Sequence, residues 1–409
     1  VIKVCDAIMG SGKSSACINY MREHPDEKYI YISPYVDEAT RIKNACPSLH
    51  FYEPTKAKYE THHSKTLDSM SKIREGRNIA STHQAYAFYT QDIIDAIREQ
   101  GYILMIDECV TILESTQVDP EDIRILERAG CIREVENGTF TVGDEVYSGS
   151  TFKECMRILR SRKLYHLDGD SYRNEYYYWA LPAEFMMAFK EVIVMTYLFE
   201  GQDMWGFFKM NNIPYEKIGV RHDETGYHFD ANATEPPPYV RALKDKIHID
   251  DHEAINDVGH HSHALSMRWF ERTENVRELK KKIYSYFRYY MKDRPASERL
   301  YGTFSDRLPS LAREGYTNSG LVFNTRATNE YADRRVLVYA ANIFYDGGRR
   351  MFFRRGGVEI NENLYALSTM IQWIWRSAIR NGEEIWIYIP SRRMRNMLQS
   401  WLNQLASGE

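Results

Sequence analysis

The chain has 409 residues, of which 43% are hydrophobic and 27% charged, with a formal net charge of −4. That length supplies core for two large domains and excludes a small cross-linked module. Six cysteines with no Cys-x-x-Cys pair exclude a disulfide framework or zinc ribbon, and no apolar run is long enough to span a membrane. A cytoplasmic location is therefore expected.

A short apolar run, Val1 to Cys5, leads into Ala7-Ile8-Met9-Gly10-Ser11-Gly12-Lys13-Ser14-Ser15. Strand, glycine-rich turn and Lys-Ser in this order predict a phosphate-binding loop. Gly10 and Gly12 let the amides of Ser11 to Ser15 turn inward, Lys13 reaches the β and γ phosphates of a nucleotide, and the Ser14 hydroxyl ligates Mg²⁺. A helix is predicted from about Lys13, its N-terminus facing the same charge. Val1 stands only a few residues before the loop. No adenine-reading segment is expected ahead of it, and weak discrimination among purine nucleotides is expected with it.

Further along, Tyr29 to Ser33 reads as a buried strand ending at Pro34, with Arg41 beyond it. Asn78 to Ala80 reads as a strand leading into Ser81-Thr82-His83-Gln84. Gly101 to Ile106 is an apolar run that ends in the acids Asp107 and Glu108, the pattern of a parallel strand with its site at the carboxyl end. In that pattern Asp107 holds Mg²⁺ through water and Glu108 orients the attacking water.

Between Glu108 and Thr196 the chain is longer than a simple connection needs. Ile123 to Arg128 reads as a helix, and residues 131–142 as a hairpin turning at Asn137-Gly138. Part of residues 115–185 is therefore expected to be an insertion on the first domain. Its aromatic residues Tyr172, Tyr176, Tyr177, Tyr178 and Trp179 suit base stacking, but more commonly form a buried strand. Val192 to Phe199 reads as another strand, carrying Thr196. Residues 221–263 are polar and proline-interrupted, at Pro236-Pro237-Pro238, and carry His248, His252, His260, His261 and His263. A mobile surface loop is expected there, ahead of a metal site.

In the second half, Leu321 to Asn324 is followed by Arg326, Ala327, Thr328 and Asn329. Gln372, Arg376 and Arg380 recur every four residues and on one helix would share a face. Glu384 to Ile389 reads as a last core strand, followed by Pro390 and a terminal helix. Arg349-Arg350, Arg354-Arg355 and Arg392-Arg393 with Arg395 are candidates for a local basic track, so the acidic net charge does not forbid nucleic-acid binding.

Taken in order, these motifs resemble those of superfamily 2 helicases. Ala7 to Ser14 is similar to motif I in its Ala-x-x-Gly-x-Gly-Lys-Ser form, Asp107-Glu108 to motif II, and Gln372 to Arg380 to motif VI. In motif VI a glutamine and two arginines face the γ-phosphate, although the family usually spaces its arginines three apart rather than four. Tyr29 to Arg41 is similar to motif Ia, Ser81 to Gln84 to the threonine motif that touches the DNA backbone, and Thr196 to the hydroxyl residue of motif III. Arg326 to Asn329 is similar to motif V, with Ala327 in place of glycine. Residues 365–389 resemble helicase-like proteins of phages and mobile elements, including the viral origin-binding branch.

The resemblance implies an α/β protein of two RecA-like parallel-sheet domains, at about 1–205 and 206–409, with an insertion in the first and ATP in the cleft between them. The implied catalytic residues are Lys13, Asp107, Glu108, Gln372, Arg376 and Arg380. Nucleic acid is assigned to Pro34, Arg41, Thr82, His83, Thr196, Arg326, Thr328 and Asn329. The implied activity is that of an ATP-driven helicase or translocase, on single-stranded or forked DNA or on RNA, with replication or recombination proteins as possible partners. An ATP-binding switch that unwinds nothing and a phosphate-loop nucleoside kinase share part of this pattern. A packaging ATPase with a nuclease does not fit, because Asp306, Asp333 and Asp346 form no acidic cluster in sequence.

Overall fold

The computed structural model describes residues 1–407 apart from 35, 55–64, 84–88, 117–118, 137, 169–174, 234–235 and 326–329. By contact density the chain forms two units. One holds Val1–Ile8, Gly12–Thr234 and Asp346–Ile360, and the other Met9–Ser11, Glu235–Tyr345 and Asn361–Glu409.

The first unit is built on β1 (Ile2–Asp6), β2 (Tyr29–Ser33), β3 (Ile79–Thr82) and β4 (Ile103–Asp107). An inserted sheet follows, of β5 (Leu113–Thr116), β6 (Ile132–Glu136), β7 (Thr139–Val142), β8 (Lys163–Asp168) and β9 (Glu175–Ala180). The main sheet then resumes with β10 (Glu191–Thr196), β11 (Glu216–Asp223) and β12 (Gly226–Asp230). Its order among the described residues is β12-β11-β1-β10-β4-β2-β3. All neighbours run parallel except the β11–β12 hairpin. All five residues of β2 and the first four of β4 are buried, which is why these strands read as unbroken apolar runs.

Strand order places the loop after β1 at a reversal of chain direction. From β1 the chain crosses through helix Lys13–Glu23 to β2, on one side, whereas from β10 it crosses through helix Asp203–Met210 to β11, on the other. The direction reverses between β1 and β10, the neighbouring pair whose carboxyl ends carry the phosphate loop and Thr196. A crevice at such a switch point is where open parallel sheets bind ligands.

The insertion is an antiparallel sheet ordered β5-β9-β8-β7-β6. Tyr177, Tyr178 and Trp179 of β9 are buried, so these aromatics form core rather than a stacking surface. Tyr172 and Asn137 lie outside the described residues, as does the side chain of Tyr176. Helix Gly347–Arg355, from late in the sequence, packs on this sheet. The Tyr178 hydroxyl donates to Asp346 (2.8 Å), whose carboxylate caps the helix, and Tyr165 meets Phe352 edge-on at 4.9 Å. This packing groups residues 346–360 with the first unit.

The second unit holds β13 (Ile247–Ile249), β14 (Arg299–Thr303), β15 (Gly320–Val322), β16 (Val336–Tyr339) and β17 (Ile385–Tyr388). They form a parallel sheet ordered β13-β17-β16-β14-β15. Helix Glu362–Ile374 lies so close to β14 that a Cβ on Gly302 would overlap the Trp373 indole.

The segment 221–263 departs from expectation. Residues 221–230 are not a loop but the outer part of the β11–β12 hairpin, and Ile247–Ile249 is a strand. The histidines do not converge. His248 pairs with Glu384 (3.0 Å) and His252 with Asp250 (2.9 Å). Among the described residues no cluster of three or more metal-ligating side chains exists.

Candidate functional site

Backbone geometry makes the loop after β1. Gly10 and Gly12 have φ of 81° and 92°, the left-handed region that a side chain disfavours. Gly12 caps helix Lys13–Glu23, so the helix begins at the predicted residue and its first amides open toward the loop. The Lys13 ammonium lies inside the loop, donating to the carbonyls of Ala7 and Ile8. Ser11 is buried and its hydroxyl has no hydrogen-bond partner. Ser14 and Ser15 are half-buried in the first helical turn.

Register brings the acids to this loop. Asp6 of β1 lies beside Thr196 of β10, and Met195 beside Asp107 of β4. The Ala7 amide donates to the Thr196 carbonyl (3.0 Å), and the Glu108 amide to that of Met195 (2.9 Å). Loop, threonine and acid pair are thus tied across three adjacent strand ends. Glu108 has φ of 63°, strain that a non-glycine residue bears only where its surroundings hold it.

The acids sit in different environments. Asp107 is half-buried, and its carboxyl is pushed up from its ordinary 3.8 to about 7, first by burial and then by the negative charges of Glu108 and Glu38. Lys13 and the Tyr31 hydroxyl, 3.2 Å from Oδ2, oppose that rise. A carboxylate this costly to ionise gains most from a nearby cation. Burial likewise raises Asp6, whose Oδ2 accepts the Phe199 amide (3.2 Å) and whose Oδ1 has no hydrogen-bond partner. Tyr31 and Asp6 carry no motif; nothing but strand order marks them.

Residues 241–402 match the family model described as the YonV C-terminal Rossmann-like domain. The SPbeta prophage-derived uncharacterized protein YonV of Bacillus subtilis (strain 168) is 35% identical over 415 aligned residues, covering 98% of each chain. The chain belongs to the YonV family. Among solved structures, S. tokodaii Xpd4 aligns over 98% of this chain and 94% of its own, at 11% identity and a TM-score of 0.50. An XPD helicase aligns over 98% of this chain and 95% of its own, also at 11% identity, with a TM-score of 0.46. At such identities the likeness is one of fold. This YonV-family chain has a helicase-like α/β fold with Rossmann-like parallel sheets.

The other sequence-predicted residues of this YonV-family chain fall in varied places. Pro34 follows β2, and Arg41 is paired with Glu38 (2.8 Å) on helix Val36–Ala45. Thr82 ends β3, and His83 lies 3.0 Å from the Asp107 carbonyl. Thr196 is fully buried, its hydroxyl facing the Cys109 thiol at 3.6 Å, so it ties strand ends together rather than presenting itself at the surface. Gln84, Arg326, Ala327, Thr328 and Asn329 lie outside the described residues.

Gln372, Arg376 and Arg380 do not share one helix. The helix ends at Ile374, Ser377 adopts an extended conformation with its hydroxyl donating back to the Ile374 carbonyl (2.6 Å), and Ala378–Asn381 forms a separate 3₁₀ turn. Four-residue spacing therefore overstates their alignment. Gln372 and Arg376 are buried, while Arg380 is exposed.

Most candidate arginines of the basic track have structural partners. Arg349 pairs with Asp203 (2.8 Å), Arg354 with Glu359 (2.9 Å), and Arg355 donates to the His166 carbonyl (3.1 Å). Arg393 donates to Asn342 (3.0 Å) and the Ile343 carbonyl (2.7 Å), and Arg395 to the Ile389 carbonyl (2.8 Å). Arg392 is exposed. No described helix is long and apolar enough to cross a membrane.

Proposed function

We propose that this protein is an ATP-driven nucleic-acid translocase or helicase acting on DNA, in the replication or recombination of a phage or mobile element. The observation that carries this reading is the convergence of the Lys13 loop, Thr196 and the Asp107-Glu108 pair on adjacent carboxyl ends of β1, β10 and β4. Support for the setting comes from the prophage origin of the Bacillus subtilis relative, and for the motor class from the Xpd4-like fold.

The site's residues fit a nucleotide with its metal. Two left-handed glycines, a lysine inside the loop and the unpartnered Ser11 hydroxyl match a triphosphate's need for donors. Ser14 and Asp107 are the residues that would hold Mg²⁺, which supplies charge neutralisation at the phosphates. Glu108, whose backbone is fixed by the hydrogen bond from its amide to the Met195 carbonyl, would orient a water and take its proton. Thr196 passes a shift of the β4 end to the loop through the Ala7 bond. Gln372, Arg376 and Arg380 are assigned to sensing the γ-phosphate.

Strand separation tests the motor reading. A forked DNA duplex with one labelled strand is mixed with wild-type protein and Mg·ATP, beside Lys13→Ala. Release that needs ATP and is lost in the variant is expected. ATP hydrolysis without release or translocation would move the assignment to a switch protein.

A further inference from the structure

The β11–β12 hairpin stands beside the phosphate loop with an aromatic pair that the core does not account for. β11 pairs with β1 only through Lys3, Val4 and Cys5, opposite Glu216, Lys217 and Ile218. Beyond that point it outruns β1 and continues as Gly219–Asp223, paired with β12 alone. The extension therefore rises past the carboxyl edge of the sheet, where β1 gives way to the loop.

On the returning strand Tyr227 packs on Gly12. A Cβ built on Gly12 would lie 2.2 Å from Cδ1 of the Tyr227 ring and 2.4 Å from Cε1. Directly across the hairpin from Tyr227 is His222, and the two rings lie 4.2 Å apart at 31°. Tyr227 is half-buried and His222 exposed. Two adjacent rings thus meet solvent next to the residue that begins the phosphate-facing helix.

The hairpin is held firmly. Asn19 of that helix donates to the Tyr227 carbonyl (3.0 Å), and Phe229 packs against Tyr20 with ring centres 6.2 Å apart. At the turn, the Thr225 amide and hydroxyl both donate to Asp223 (2.9 and 2.6 Å). A rigid aromatic surface loses little freedom on stacking, so more of the contact energy appears as affinity.

We propose that Tyr227, flanked by His222, is the base-stacking surface of this site and takes the purine of a nucleoside triphosphate whose phosphates lie on the Lys13 loop. The inference rests on the nucleotide-binding reading above. Stacking accepts any purine face, so ATP and GTP bind alike, whereas inorganic tripolyphosphate has no base for the rings to hold.

Calorimetric titration with Mg·ATP and Mg·tripolyphosphate separates the base from the phosphates. Tyr227→Ala is expected to weaken ATP binding about tenfold or more while leaving tripolyphosphate unchanged, and Tyr227→Phe to retain both. Lys13→Ala is expected to weaken both ligands. A wild-type protein that binds neither would overturn the nucleotide reading and this inference with it. Equal weakening of both ligands by Tyr227→Ala would make the ring a prop for Gly12 and overturn the stacking role alone, as would no change in either. Should Tyr227→Ala melt before assay, His222→Ala at the exposed ring is expected to lower ATP affinity severalfold with tripolyphosphate unaffected, and no selective loss there overturns the proposal.

Discussion

The Tyr31 hydroxyl donates to Oδ2 of Asp107 at 3.2 Å, joining the middle of β2 to the last residue of β4. Asp107 titrates near 7, pushed up chiefly by burial and then by Glu108 and Glu38. The folded protein therefore keeps a proton that the unfolded chain has released between pH 3.8 and about 7. Asp107 thus contributes stability that is fully present below pH 3.8 and lost as pH rises through about 7. Thermal melts in metal-free buffer across that window are expected to show this loss, and Asp107→Asn to remove it while raising stability at pH 8. Tyr31→Phe, which deletes a donor to the charged form, is expected to carry the loss to higher pH. An unchanged pH profile in Asp107→Asn would contradict the assignment.

Gly12 is constrained twice, by φ of 92° and by the Tyr227 ring. Gly12→Ala is expected to cost about 1–3 kcal/mol in denaturant unfolding, from left-handed backbone strain and ring overlap together. In the Gly12→Ala, Tyr227→Ala double variant the overlap is gone and only the backbone cost persists. The double-variant cost should therefore fall short of the sum of the singles; simple additivity would deny the contact.

How much was legible before the structure depends on range. The placement of Lys13, Asp107 and Glu108 at strand ends is readable from short motifs that follow apolar runs, because buried parallel strands announce themselves as such runs. The contacts of Tyr31 with Asp107 and of Tyr227 with Gly12 are not readable, since they join elements far apart in sequence. Residues 221–230 misread as loop because a hairpin beyond the sheet edge is half-exposed and carries polar residues such as Arg221 and Asp223 on its outer positions. The spacing of Gln372, Arg376 and Arg380 misled because periodicity counts residues and not the Ser377 break.

Arginine pairs in sequence suggested a basic track, but contacts assign many of them to stability. Arg395 donates to the Ile389 carbonyl and to buried Asn256. Arg395→Ala is expected to destabilise by about 2–3 kcal/mol, because buried acceptors lose a charged donor. The salt dependence of DNA binding is expected to keep its slope, which counts phosphate contacts. A shallower slope with unchanged stability would return Arg395 to the track.

Arg376 and Arg380 are separable by burial. Arg380→Ala, at an exposed turn, is expected to shift the melting temperature less than Arg376→Ala does and to lower kcat for ATP about 10²-fold or more, as loss of an arginine that stabilises transferring phosphate does. Arg376→Ala, at a buried position, is expected to lower both stability and activity. Full activity in Arg380→Ala would assign phosphate sensing to Arg376.

Steady-state phosphate release from Mg·ATP, with and without single-stranded DNA, duplex DNA or RNA, tests the central claim most directly. Hydrolysis that rises strongly with one nucleic acid, and vanishes in Lys13→Ala and Asp107→Asn with or without it, is the predicted result. Hydrolysis indifferent to every nucleic acid, or undiminished in Lys13→Ala, would contradict a motor driven from the β1–β10–β4 edge.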